Sequence, residues 1–418
     1  MKPQAVKGTR DILPDEQAAW QAIITAAETT FGRAGVAKLT PPIFENSEIF
    51  TKSVGDSSDL VVQHEMYSFS DRGGRSLTLR PEFTAGVLRA FIEHGFHTKA
   101  SPVKLWSHGP AFRAENVQRG RYRQFHQINC ELLGLDNPLL DAEAIALLIT
   151  FLQTCGLSDL TVRLGTVGDP GDRAAYNHYL RERLEPRREQ LSPTSRERLE
   201  RNPLRILDSK DPHDQELLKE LKRPLDFLNA AAARHFEAVQ RYLRDWDIPY
   251  LVDPSLVRGL DYYRRTAFEV HHRGIGAQSA LGGGGRYDGL VASLGGPPTP
   301  GIGWAAGIER LLDATRQEGS LEVPSPGPQL YLVPLDEQAV AEVARLAHRL
   351  RRRYHVEYAY QPRKVGRGIS DADRRRARYA GLRGSRERAR NSYQLKRLAS
   401  GEQREVAELE LGDFLADA

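Results

Sequence analysis

Four arginines, Arg113, Arg121, Arg258 and Arg310, stand among apolar residues in strand-like or helix-like stretches, where an unpaired guanidinium is costly. Guanidinium is planar and permanently charged, and it forks onto phosphate oxygens. The glycine-rich stretch "ALGGGGRYDGL" ends in Arg-Tyr-Asp rather than Gly-Lys-Ser/Thr, so it is not a P-loop. Arginines converging without a Walker lysine suit a triphosphate held by side chains. Gly282 to Gly285 would let the backbone approach such a ligand closely. The competing interpretation pairs each arginine with a nearby carboxylate such as Glu115 or Asp261. It serves for any one of them and strains for all four.

Other chemistries find less support. "GIGWAAG" has the look of a dinucleotide fingerprint, but "GGPPTP" precedes it where a strand is required. His94 and His97, and His271 and His272, lack a convincing set of co-ligands. The two cysteines, Cys130 and Cys155, make neither a disulfide framework nor a four-ligand zinc pattern. No protein-ligated transition metal is expected.

The elements that must position the arginines are legible in outline. "GPAFRAENVQRGRYRQFHQINCELLG", Gly109 to Gly134, predicts a strand, a basic loop and a returning strand with Phe125, Gln127 and Glu131. Fixed charge at that density marks a binding surface rather than a core-facing hairpin. "DEQAAWQAIITAAETTFGRAG" has helical spacing, and "YSFSDRGGRSLTLR" predicts a hairpin around Gly73 and Gly74. "PEFTAGVLRAFIEHGF" predicts a helix opened by proline with an acidic residue in its first turn. Roughly from 168 to 246 the composition turns to Arg, Glu and Leu without strand signals, which predicts a helical insertion.

The sharpest break is "EVPSPGPQ". It predicts a linker at 322–328 between a β-rich domain, 1–321, and a small α/β domain, 329–418. In the latter, strand "LYLVPL", helix "EQAVAEVARLAHRLRRRY", strand "VEYAY" and a basic helix near Ser370 to Tyr379 alternate. Of a net charge of +4, the segment from Gln329 onward carries 19 Lys and Arg against 13 Asp and Glu. A basic terminal domain on a near-neutral body suits a polyanionic partner. No apolar run reaches the roughly 18 residues of a membrane span, and "MKPQAVKGTRDILP" lacks a secretion signal's apolar core. A cytoplasmic location without a membrane partner is expected.

Together these residues resemble the histidyl-tRNA synthetases, a family of class II aminoacyl-tRNA synthetases, over nearly the full chain. "PPIFENSEIF" is similar to motif 1, with Pro42 as the interface proline, "FRAENVQRGRYRQF" to motif 2 and "GIGWAAGIERL" to motif 3. "LVRGLDYY" and "GGGGRYDGL" resemble the two histidine-specific signatures and are the most specific of the set. The resemblance implies an α+β fold: a six-stranded antiparallel sheet flanked by helices, a helical insertion and a C-terminal α/β anticodon-binding domain. It also implies a homodimer that uses ATP with Mg²⁺ to convert L-histidine to histidyl-adenylate and then charges histidine tRNA.

Residue roles follow from the same resemblance. Arg113 and Arg258 would be catalytic, contacting the α-phosphate from opposite sides, with Arg113 also on the histidine carboxylate. Glu115 would take the adenine amino group, Phe125 would stack on the ring, and Arg121 and Arg310 would bind the β- and γ-phosphates. Glu82, Thr84 and Gln127 would hold the histidine ammonium group. Glu131, Tyr263 and Tyr287, with Tyr262 beside them, would read the imidazole. Gln118 would touch the tRNA acceptor end. The sequence departs from the family pattern at Phe83, where glycine is usual, at Asn116–Val117 in the motif 2 loop, and at "LRGSRER" in the terminal domain. The alternative is a non-catalytic regulatory paralogue serving ATP phosphoribosyltransferase. Such paralogues generally lack the anticodon-binding domain and the Arg258 signature.

Overall fold

The computed structural model describes residues 2–54, 65–115, 121–256, 262–272, 280–321 and 327–417. The chain divides into two units, Met1–Glu322 and Val323–Ala418. The first contains strands β1 (Ala37–Lys38), β2 (Phe44–Asn46), β3 (Ser68–Ser70), β4 (Ser76–Leu79), β5 (Val103–Phe112) and β6 (Gln124–Leu133). β7 (Leu160–Thr166), β8 (Tyr250–Val252), β9 (Arg264–His272), β10 (Ala280–Arg286) and β11 (Gly301–Gly307) follow.

Eight of these form one sheet in the order β1-β5-β6-β11-β10-β9-β7-β8. The inner six strands are antiparallel throughout, as the resemblance implied. The short outer strands β1 and β8 join in parallel. Helices Pro14–Arg33, Pro138–Thr154 and Ile308–Glu318 contribute to the sheet's main hydrophobic core. There Phe31 meets Trp106, Phe151 and Trp304 with ring centroids 5.1, 5.6 and 5.8 Å apart. Burying each such side chain contributes about 1.5–3 kcal/mol.

The predicted hairpin is β3–β4. Asp71 Oδ1 accepts from the Gly73 and Arg75 amides at 2.9 Å, and Gly74, at φ 78°, supplies the left-handed residue the turn requires. The helix expected from Pro81 instead spans Thr84–Glu93. Glu82 precedes it, its carboxylate accepting from the Thr84 and Ala85 amides at 2.6 and 2.9 Å. It therefore satisfies helix-start donors rather than standing in the first turn.

Between β7 and β8 the elements are all helical: Pro170–Leu184, Pro193–Arg201, Pro212–Lys219 and Ala230–Asp245, joined by 3₁₀ turns. Proline opens the first three, and Asn229 caps the last through the Ala231 and Ala232 amides. Tyr176, Leu180, Leu199 and Leu207 belong to a separate small core.

The second unit holds β12 (Leu330–Pro334), β13 (Val356–Tyr358), β14 (Tyr379–Arg383), β15 (Ser392–Arg397) and β16 (Gln403–Ala407), ordered β13-β12-β14-β15-β16. Its basic helix is Val365–Arg374, earlier than the Ser370–Tyr379 expected from sequence, and Tyr379 instead opens β14. "LRGSRER" retains regular structure despite its charge. Arg383, almost fully buried, ends β14 and donates to Glu342 at 2.7 Å, and Ser385–Ala389 is a short helix.

Candidate active site

Residues of β6 alternate across the sheet, so Phe125, Gln127, Asn129 and Glu131 share one face. Opposite Glu131 the register brings Gly303 of β11, then Gly285 of β10, then Ala267 of β9. This row of small residues leaves room above the sheet. A Cβ at Gly303 would fall 1.7 Å from Glu131 Oε2, so only glycine fits beside that carboxylate. Gly284 and Gly285 serve packing inside the protein: added Cβ atoms would lie 1.9 Å from the Gly303 carbonyl and 2.8 Å from the Tyr263 ring. Gly282 and Gly283 line the resulting cleft of about 610 Å³.

One end of the cleft rests on Glu131, which is almost fully buried. Its carboxylate accepts from Thr84 Oγ1 at 2.7 Å, from Asn129 Nδ2 at 3.1 Å and from the Tyr287 hydroxyl. Burial pushes the Glu131 carboxyl up to about 7, the three hydrogen bonds notwithstanding. Glu82 is also raised by burial, although the Ala85 and Thr84 amides oppose the shift. Tyr262 and Tyr263 approach with ring centroids 4.7 Å apart, and Tyr262 meets Tyr287 edge-on at 5.8 Å. Burial drives the Tyr262 and Tyr287 hydroxyls far above their ordinary range, so both remain neutral donors. Gln127 Oε1 is buried with no hydrogen-bond partner among the described residues.

The other end is cationic. Arg113 Nε donates to the Pro81 carbonyl at 3.0 Å, and its guanidinium lies 5.2 Å from the Phe125 ring centroid. Arg310 Nη1 donates to the Ala280 carbonyl at 2.9 Å. Burial, then the neighbouring Arg121, lower the Arg310 guanidinium below its ordinary range. Arg121 lies 3.5 Å from Glu115, the carboxylate pairing weighed from sequence for a single arginine.

Of the residues singled out in the sequence, Glu82, Thr84, Arg113, Glu115, Arg121, Phe125, Gln127, Tyr262, Tyr263, Tyr287 and Arg310 line this one cleft, and Glu131 is bonded to two of them. Arg258 and Gln118 lie outside the described residues. Sequence reasoning missed Glu309, whose carboxylate accepts from the His126 amide at 3.0 Å and lies 2.9 Å from His126 Nδ1. It also missed Glu269, a carboxylate in the apolar run "TAFEV" that lines the cleft. The signal for Glu309 was its place beside Arg310.

Phe83 is not among the lining residues. Its ring is buried against Arg80, whose guanidinium carbon lies 4.0 Å from the ring centroid. Arg80 donates to the carbonyls of Pro110, Pro41 and Pro42 at 2.7, 2.9 and 3.2 Å. Burial lowers its guanidinium to about 10.

Comparison with known proteins follows the same division of the chain. A family model described as histidyl-tRNA synthetase matches residues 8–311, and one described as an anticodon binding domain matches residues 329–417. The chain is 53% identical to the histidine–tRNA ligase of Thermus thermophilus over the full length of both. It is 51% identical to that of Deinococcus radiodurans, again end to end. The crystal structure of apo S. aureus histidyl-tRNA synthetase superposes with a TM-score of 0.83 at 34% identity, covering 99% of each chain. The chain belongs to the histidyl-tRNA synthetase family.

Proposed function

We propose that the chain joins L-histidine to ATP, forming histidyl-adenylate and releasing pyrophosphate, and then transfers the histidyl group to the terminal adenosine of histidine tRNA. The carrying observation is one cleft with opposite ends: Arg113, Arg121 and Arg310 at one, and neutral tyrosines around buried Glu131 at the other. Full-length similarity to histidine–tRNA ligases favours this over the regulatory-subunit alternative, as does a terminal unit matched by an anticodon-binding model.

In the first step a histidine carboxylate oxygen attacks the α-phosphorus and the bond to the β-phosphate oxygen breaks. Charge grows on the equatorial phosphate oxygens. Arg113, held by the Pro81 carbonyl at 3.0 Å, is pre-aimed to neutralise it, and fixed cations act there without reorganisation. Arg258 would meet the same phosphate from the far side, a role resting on the family signature. Arg310 and Arg121 take the β- and γ-phosphates, Arg121 exchanging its Glu115 partner for phosphate. Glu115 is then released toward the adenine amino group, and Phe125 supports the ring.

Glu82, Thr84 and the unpartnered Gln127 Oε1 hold the ammonium group. Glu131, with Tyr263 and Tyr287, reads the imidazole nitrogens. A buried hydrogen-bonding set of this kind rejects side chains that cannot complete it by about 10⁴-fold or more.

Mg²⁺ would enter with the nucleotide, which leaves it needing only one or two protein carboxylates. Glu269 lines the cleft and would be such a carboxylate, and among the described residues no cluster of three or more acidic, His or Cys ligands forms a site of its own. Gln118 would meet the tRNA acceptor end. Exposed Ile43, Phe44 and Phe69 beside Pro42 support a homodimer through this face. A cytoplasmic site of action follows from the tRNA substrate proposed here; no helix among the described residues is long and apolar enough to cross a membrane. Charging of histidine tRNA with labelled histidine tests the reading: accumulation of histidyl-tRNA is expected, and its absence with intact protein and tRNA contradicts it.

A further inference from the structure

Behind Tyr287 lies a buried charge cluster that the proposed reaction does not use. Arg286, the last residue of β10, and Asp141, in the first turn of the Pro138–Thr154 helix, are both fully buried. The Asp141 carboxylate accepts from Arg286 Nε at 3.0 Å and Nη2 at 2.5 Å, and it lies 2.8 Å from His235 Nε2. Arg286 Nη1 donates to Asp288 at 2.8 Å, so one guanidinium grips the chain on both sides of Tyr287. Asp288 also accepts from the Gly301 amide at 3.3 Å, and the Tyr287 amide donates to the Gly301 carbonyl at 2.8 Å.

The same cluster reaches the helical segment between β7 and β8. His235 stands in its last helix, Ala230–Asp245, and His235 Nδ1 lies 3.4 Å from Arg265 Nη1. Arg265 donates to Asp169 at 2.8 Å and to Asp136 at 3.0 Å. Asp169 caps the segment's first helix and accepts from Asn229, the cap of its last, at 3.1 Å.

We propose that Arg286, Asp141 and His235 are positioning residues that tie the base of the helical segment to the aim of the Tyr287 hydroxyl, and thereby set how tightly the imidazole is held. The inference rests on the histidine pocket proposed above. A buried ion pair is weak evidence for stability, since a well-packed apolar set holds a fold as well. What the fork supplies is direction: two carboxylates engaged by one planar group fix the backbone at residues 286 to 288. A row of glycines alongside cannot do so by packing.

Histidine-dependent ATP–pyrophosphate exchange on the full-length protein, with histidine and ATP titrated separately, tests this. Asp141→Asn and Arg286→Lys are expected to raise the KM for histidine about tenfold and leave that for ATP within about twofold. Should either fail to fold, the milder His235→Gln decides, with a rise of about threefold expected for histidine alone. Unchanged histidine KM in folded variants, or equal rises for both substrates, overturns the positioning role. A parent protein without histidine-dependent exchange overturns the proposed function itself; exchange in the parent with unaffected variants overturns only this inference.

Discussion

The Tyr287 hydroxyl donates to the Glu131 carboxylate, joining residues 156 positions apart at the buried end of the cleft. Because Thr84 Oγ1 donates to the other carboxylate oxygen at 2.7 Å, the acceptor is fixed from two sides before any ligand enters. Tyr287→Phe keeps the ring and removes the donor. The expected result is a histidine KM raised about tenfold or more with ATP KM unchanged, since truncating one partner strands a buried polar group. Steady-state exchange kinetics check it, and equal effects on both substrates would place the imidazole elsewhere.

Glu131 also predicts a pH dependence of stability. Burial raises its carboxyl from an ordinary 4.5 to about 7, so the folded protein favours the protonated form. The stability this provides is fully present below the unfolded value and is lost as pH rises through about 7. Glu131→Gln cannot ionise and removes that slope. Between about pH 5 and about pH 8, urea unfolding should shift in the variant's favour by on the order of 3 kcal/mol relative to the parent. Parallel profiles would contradict the shift.

The phosphate-binding role proposed for Arg310 can be tested apart from amino-acid binding. Its guanidinium sits near Arg121 and Arg113, a concentration of like charge that the neighbouring Glu115 and Glu269 offset only in part. Arg310→Gln is expected to raise the KM for ATP about tenfold or more, since charge-assisted hydrogen bonds to phosphate are lost. Histidine KM should stay within about twofold. Calorimetric titration with a non-hydrolysable ATP analogue gives an independent check, and undiminished affinity would contradict the assignment.

Phe83 belongs to the scaffold. Its buried ring supports Arg80, which in turn holds the carbonyls of Pro41, Pro42 and Pro110. Phe83→Ala should therefore destabilise the protein by about 3–5 kcal/mol, the usual cost of deleting a core aromatic ring. The histidine KM of protein that remains folded should be little altered. Thermal unfolding with exchange kinetics distinguishes the two, and a stable variant with altered histidine KM would place Phe83 in the pocket.

Much of the site was legible because it is local. The two-residue period of a strand puts Phe125, Gln127 and Glu131 on one face, and Arg310 stands three residues after Gly307, the end of a glycine- and alanine-rich stretch. The hairpin at Gly73–Gly74 follows from turn chemistry alone. What the sequence withheld is long-range. Glu309 meets His126 across 183 positions, and Arg286 meets Asp141 across 145. No periodicity announces such pairs, because sheet order decides them. Gly282 to Gly285 were legible as close approaches, but the partner was not, since Gly285 makes room for Tyr263; Gly303, which makes room for Glu131, was not singled out. The helix start at Thr84 was misplaced because Glu82 does a cap's work from outside the helix.

The most direct test of the central claim is ATP–pyrophosphate exchange by the purified full-length protein, with each of the standard amino acids supplied in turn. Exchange is expected with histidine alone, because only an imidazole completes the hydrogen bonds around Glu131 and the neighbouring tyrosines. Exchange stimulated by a different amino acid, or none with histidine, would contradict it.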